Sequence, residues 1–135
     1  MVQSVMTATH ALEQVSVLVV DDEPDACALL QLVLQLESAE VRTASSVQEA
    51  IEAFLAEPPD VLVSDICMPG RDGYDLIRMI RSLPDDARDV PAIAVTAFPG
   101  SENRERALAA GYQAHLAKPF DPYEPVDIIS RLVEH

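Results

Sequence analysis

The chain has 135 residues, 49% of them hydrophobic and 24% charged, which describes one globular domain with a sizeable core rather than a disordered or fibrous chain. Nine basic residues against 23 acidic ones leave a net charge of −14, which argues against nucleic acid or an anionic membrane as a direct partner, because both require a cationic surface. Cys27 and Cys67 lack metal-knuckle spacing and are expected as reduced thiols of a cytoplasmic protein, and no apolar run reaches the roughly 18 residues of a membrane span.

Residues 1–14 lack the charged-then-apolar order of a signal peptide and read as a tail or linker remnant, with the domain itself at 15–135. Residues 15–20 (VSVLVV) form a continuous apolar run, suited to a strand buried on both faces. It stops at Asp21, Asp22 and Glu23, and Pro24 stands where a first helical position is expected. Leu29, Leu30, Val33, Leu34 and Leu36 mark the apolar side of the helix that follows. A short strand is expected over 41–43. Ser45 or Ser46 can cap the next helix, and Glu49 supports a capping box from Ser46; that helix packs Val47, Ala50, Ile51, Phe54 and Leu55 and stops at Pro58 and Pro59.

Residues 60–64 (DVLVS) form a buried-type strand that runs into Asp65. It is broken at Met68, Pro69 and Gly70, before a helix begins near Asp72 and Gly73 and carries Leu76, Ile77, Ile80 and Leu83. Residues 91–95 (PAIAV) are another buried strand, ending in Thr96, with Pro tolerated at its first position. A short helix over 101–110 stops at Gly111. A fifth strand over 114–117 runs into Lys118, Pro119 and Phe120, and a last helix over about 122–134 carries Val126, Ile128, Ile129, Leu132 and Val133. Five alternations of strand and helix predict an α/β domain, an open parallel sheet covered on both faces by right-handed crossovers.

In such a sheet the carboxyl ends of all strands lie on one edge. That edge is expected to carry Asp21 and Asp22 from the first strand, Asp65 from the third, Thr96 from the fourth and Lys118 from the fifth. Taken singly, each has an ordinary structural reading. Acids are favoured at a helix start, Asp65 could serve a turn, Thr96 is a strand end and Lys118 a solvated tip. Together they place three carboxylates, a hydroxyl and an ammonium in one crevice, where like charges repel unless a cation sits among them. Oxygen donors with room for water and phosphate oxygens suit Mg2+ better than zinc or copper. The set supports phosphoryl transfer, in which a carboxylate attacks phosphorus while metal and lysine neutralise charge. Lys118 is also the one lysine among nine basic residues, all others being Arg, a compact ammonium where the chain elsewhere uses a planar fork.

The segments VLVVDDEPD, DVLVSDICMPGRDGYDL, AIAVTAF and HLAKPFD, in that order, resemble the receiver (response-regulator) domain family of two-component signalling from about residue 16 to the C-terminus. The resemblance implies a flavodoxin-like (βα)5 fold, a doubly wound parallel five-stranded sheet with strand order 2-1-3-4-5. It implies that Asp65 accepts a phosphoryl group, and that Asp21, Asp22, Asp65 and the backbone carbonyl of Cys67 bind Mg2+. Thr96 matches the switch hydroxyl, Lys118 the lysine that pairs with the phosphoryl group, and Lys118–Pro119 a peptide bond that is often cis. The expected donor is a histidine kinase or a phosphotransfer domain. The expected readout surface is the fourth helix, fifth strand and fifth helix, acting on an output domain or effector protein, in a monomer or weak dimer. On this reading the chain accepts a phosphoryl group and loses it again without being a turnover enzyme.

Two positions depart from the family's commonest pattern. His115 stands where a Tyr or Phe usually moves with the switch hydroxyl, and Gly70–Arg71 replaces the usual residue-plus-Met. A bulky Phe98 is expected to slow the access of water to the phosphorylated aspartate. Residues 1–14 and the GYQAHLAKPFDP ending resemble the C-terminal receivers of hybrid histidine kinases, so the chain reads as a single-domain regulator or as a receiver from a larger protein. Two alternatives belong to other classes. A pseudo-receiver would keep the fold as a binding module without phosphorylation, and the complete set of five site residues speaks against it. An aspartate-nucleophile phosphatase usually carries a second acid two residues after the nucleophile, where this chain has Cys67.

Overall fold

The continuous apolar runs become the middle of a sheet. In the computed structural model, which describes residues 11–68, 70, 72–97 and 101–133, the strands are β1 (Ser16–Val20), β2 (Glu40–Ala44), β3 (Val61–Asp65), β4 (Ala92–Thr96) and β5 (Ala114–Ala117). They alternate with α1 (Pro24–Gln35), α2 (Val47–Ala56), α3 (Gly73–Arg81), α4 (Ser101–Ala110) and α5 (Tyr123–Val133), and a 3-10 turn at Asp86–Asp89 precedes β4. All pairings are parallel and the order is β2-β1-β3-β4-β5. This is the doubly wound 2-1-3-4-5 sheet that the resemblance implied.

Alternation along the strands sorts the core into two layers. Leu18, Val20, Leu62, Ala92 and Ala94 pack against Phe54 of α2, Leu76, Ile77 and Ile80 of α3 and Ala107 of α4. Val17, Val19, Val61, Val63, Ile93 and Val95 pack with Leu30 and Leu34 of α1 and Ile129 of α5. Leu12, ahead of β1, is fully buried in the same layer and donates its N–H to the Glu37 carbonyl at 3.0 Å. Each such Val, Leu, Ile or Phe side chain contributes roughly 1.5–3 kcal/mol relative to exposure.

Local rules explain most element ends. Pro24 opens α1, and Asp72 caps α3 in a reciprocal box, accepting from the amides of Tyr74 and Asp75 while Asp75 accepts from the amide of Asp72. Ser46 caps α2 through the Glu49 amide, but the Glu49 carboxylate turns back to the amide of Ser45 rather than Ser46. Several expected core positions face water: Leu29, Leu36 and Leu55 are exposed. A helix covering one sheet face buries a single stripe, and α1 carries more leucines than its stripe of Leu30, Val33 and Leu34 can hold. The 3-10 turn was not expected. Arg81 at the end of α3 stitches it down, donating to the carbonyls of Arg88 and Val90 at 2.6 Å each, to Gly111 at 2.7 Å, and to Gln113 Oε1 at 2.9 Å.

One close approach fixes where α3 starts. A Cβ on Gly73 would lie 2.7 Å from the Asp65 carbonyl oxygen and 2.7 Å from Ile66 Cα. The buried Tyr112 hydroxyl donates to the Gly73 carbonyl at 2.7 Å, holding the helix start against the end of β3. Gly73→Ala is therefore expected to destabilise the domain by about 1–3 kcal/mol through overpacking, although Ala is the better helix former. Urea unfolding checks this, and an unchanged or raised midpoint would refute the close approach.

Candidate functional site

The ends of β1, β3, β4 and β5 converge at the sheet edge where the chain reverses its winding, between β1 and β3. Asp21 is 2% exposed and Asp65 7%. Lys118 Nζ bridges them, donating to Asp21 Oδ2 at 3.2 Å and to Asp65 Oδ2 at 3.3 Å. The remaining carboxylate oxygens take backbone amides: Glu23 N–H donates to Asp21 Oδ1, and Cys67 N–H to Asp65 Oδ1, both at 2.9 Å. Lys118 is steered into place by its own N–H, which donates to the Thr96 carbonyl at 2.8 Å, just before a cis Lys118–Pro119 bond.

Asp22 is exposed, yet oxygen atoms of Asp21, Asp22 and Asp65 all lie within 4.8 Å of one another. Three carboxylates thus face one ammonium, and the surplus negative charge on an all-oxygen donor set fits a hard divalent cation. Burial is the largest influence on Asp65 and pushes its pKa up. The Cys67 amide and the Lys118 ammonium pull it down, and Asp21 pushes it up again. Burial alone would lower Lys118, but Asp65 and Asp21 outweigh it and raise its pKa, so the ammonium stays charged. Both partners of one ion pair move up because the more enclosed carboxylate loses more hydration than the ammonium returns to it.

Thr96, 1% exposed, closes β4 opposite Ala117, while His115 lies opposite Ala94. Thr96 and His115 therefore share one face of the sheet. His115 is half-buried, and its Nε2 is enclosed with no hydrogen-bond partner among the described residues. Burial, then the charge of Arg104, lowers its pKa. Cys67 is exposed, and both it and Cys27 are free thiols. Phe98, Pro69 and Arg71 lie outside the described residues.

Three supporting residues had no sequence signal for the contacts they make. Gly73 and Tyr112 set the position of α3, and the Arg106 guanidinium sits 4.1 Å over the Tyr74 ring, joining α4 to α3. Each acts through a contact that only the folded packing creates, so no local pattern marks it.

The sequence matches the response regulator receiver domain over residues 17–130, and the chain belongs to that family, a signalling module of two-component systems. An uncharacterized 14.6 kDa protein of Leptolyngbya boryana is 42% identical over 90% of this chain and 92% of its own. The transcriptional regulatory protein PrrA of Mycobacterium tuberculosis is 38% identical over 77% of this chain but 43% of its own, so the chain spans less than half the length of that relative. Among solved structures, a candidate response regulator from Chloroflexus aurantiacus has a TM-score of 0.85 at 33% identity, covering 90% of this chain and 98% of that one. The signal receiver domain of a signal transduction histidine kinase from Syntrophus aciditrophicus gives 0.80 at 27% identity, over 88% and 89%. Among the described residues no helix is long and apolar enough to cross a membrane.

Two stability effects follow from these environments. The folded-state pKa of Asp65 is raised, so its ionised form costs the fold stability at neutral pH, a cost that fades as pH falls through that pKa. Asp65→Asn should raise the melting temperature in metal-free buffer, and a fall would show that pairing with Lys118 outweighs burial. The pKa of His115 is lowered, so its contribution is present above the free imidazole pKa and lost as pH falls below it. Denaturation midpoints should drop between about pH 7 and about pH 5, the range of imidazole titration, and drop less in His115→Phe.

Proposed function

We propose that the chain accepts a phosphoryl group from a phosphohistidine donor onto Asp65 and shifts the surface formed by α4, β5 and α5 in response. The observation that carries this reading is the single ammonium of Lys118, 3.2 and 3.3 Å from carboxylates delivered by two different strands, with a third carboxylate beside them. Such an arrangement destabilises the fold more than an apolar one of the same shape, and it suits a reaction in which charge is redistributed.

A carboxylate oxygen of Asp65 attacks phosphorus, the P–N bond of the donor breaks, and the imidazole leaves with the bonding pair. The Cys67 amide and Lys118 hold the carboxylate in one orientation before attack. Lys118 then faces the phosphoryl oxygens and neutralises their charge. Asp21, Asp22, Asp65 and the Cys67 carbonyl are the groups that would hold Mg2+. An ion bound there would add to the neutralisation of phosphoryl charge. The Thr96 hydroxyl turns toward the phosphoryl group, and His115, on the same face, carries that movement to α4, shifting the population between two surfaces. The donor is a histidine kinase or phosphotransfer domain in the cytoplasm, the recipient an output domain or effector protein, and the chain is a monomer or weak dimer.

Intact mass after incubation with acetyl phosphate and Mg2+ tests the acceptor. The wild type should gain one hydroxylamine-labile phosphoryl group and Asp65→Asn none. No gain, together with no Mg2+ binding, would replace this reading by a phosphorylation-independent interaction module. Mg2+ should also raise the melting temperature, by about 2.7 kcal/mol of stability at roughly a hundredfold excess over Kd. Asp22→Asn should weaken that response, and a full response in this variant would remove Asp22 from the metal site.

A further inference from the structure

From Ala26 to Leu36 the chain reads ACALLQLVLQL, a run without one charged residue in a molecule of net charge −14. The run makes up most of α1 and its C-cap. One side, Leu30, Val33 and Leu34, is buried on the sheet. The other presents Ala28, Leu29, Leu32, Gln35 and Leu36 to water. Leu29, Leu32 and Leu36 are 50%, 54% and 53% exposed, three of the six large apolar side chains exposed among the described residues. Spacings of three and four place them in one row along the helix. Elsewhere the exposed helix faces carry charge, with Glu52 on α2, Arg78 on α3, Glu105 on α4 and Asp127 on α5. A lone exposed leucine needs no explanation, but a contiguous apolar row marks a contact surface. A helix that is apolar all round is one that packs on both sides.

Charge decides what packs there. Two copies of so acidic a chain repel across most of their surface, and the outer row of α1 is where they can approach without setting acid against acid. A cationic partner would be drawn to the acidic faces instead and would gain nothing from this row. We infer that the outer face of α1 is an interface between two copies of this chain, paired antiparallel about a two-fold axis at Leu32. The row is self-complementary about that point: Leu32 meets Leu32, and the Leu29 of each copy lies toward the Leu36 of the other, so each contact is made twice. Antiparallel pairing also sends the two Asp25 carboxylates, at the helix starts, to opposite ends. A helix of 12 residues is about 18 Å long. A pair of this size belongs with the small interfaces, below about 1,200 Å2, that make weak and transient complexes. The interface involves neither Asp65 nor a phosphoryl group, so it is independent of the acceptor reading.

Sedimentation velocity of the full chain over a concentration series tests it. The wild type should pass from monomer to dimer with a dissociation constant between about 1 µM and about 1 mM. About 1 M salt, where the screening length is near 3 Å, should tighten the dimer by screening the repulsion between copies. Leu32→Glu and Leu32→Lys each set like charges face to face and should weaken association at least tenfold. An equimolar mixture of the two should restore it, because opposite charges then meet at the axis. Leu32 is more than half exposed and Glu and Lys are good helix formers, so both variants should keep the wild-type melting temperature. Leu108→Glu, on α4, should dimerise like the wild type. A wild type that stays monomeric to about 1 mM would overturn the inference. So would a dimer that salt weakens, a mixture that associates no better than its components, or a dimer lost in Leu108→Glu and kept in Leu32→Glu.

Discussion

Asp21, Asp22 and Asp65 repel one another, and the domain gathers them at one edge of its sheet with Lys118 reaching across from the end of β5 to two of them at 3.2 and 3.3 Å. Much of the surrounding structure serves that contact. Two of the three carboxylates are nearly closed off from water, where an ionised group is costly unless it is paired and hydrogen-bonded. Backbone amides of Glu23 and Cys67 take the oxygens that Lys118 does not. Even so, burial is the largest influence at Asp65 and raises its pKa. The site is a place where local stability is given up, and the apolar layers on both faces of the sheet offset the loss.

The fold supplies the positions with backbone rather than with side chains. Parallel strands end on a common edge, and the winding reverses between β1 and β3, so the acids of β1 and β3 are neighbours across a strand pair. Gly73 lets α3 begin almost in contact with the end of β3, and Tyr112 pins that start from beyond α4. A side chain at Gly73 would push the helix away from the residue that follows Asp65. Asp65 is therefore held by a strand, a helix start and a tyrosine that come from three separate parts of the chain.

The opposite property holds on the side proposed to respond. Among the described side chains of α4, Ala107 is the one buried, while Arg106 lies over Tyr74 and Leu108 is exposed. Few buried side chains among those described on this helix is the pattern expected of an element that can shift at low cost, in keeping with the proposed response. His115 beneath it carries an imidazole whose enclosed Nε2 has no partner among the described residues. That nitrogen makes the enclosed side chain sensitive to proton binding in a way that a phenyl ring is not.

The chain's sequence was enough for the order of elements, the parallel sheet and the placing of the five proposed site residues at strand ends. Each of these depends on short-range chemistry: β-branched runs that end in acids, Pro24 at a helix start, Gly111 at a helix end, and Lys118 after a short strand. Other features depend on what lies across a contact, and a one-dimensional pattern does not carry that information. Leu29, Leu36 and Leu55 satisfy a helical stripe on paper but face water, because a sheet face accepts a single row of side chains from each helix. Glu49 turns to Ser45, Arg81 gathers carbonyls from two loops, and Gly73 meets the end of β3, all through neighbours that only packing chooses. The sequence by itself determined which groups the site contains. The tertiary structure decided how deeply each is buried and which faces which, and burial and distance are what set their charge.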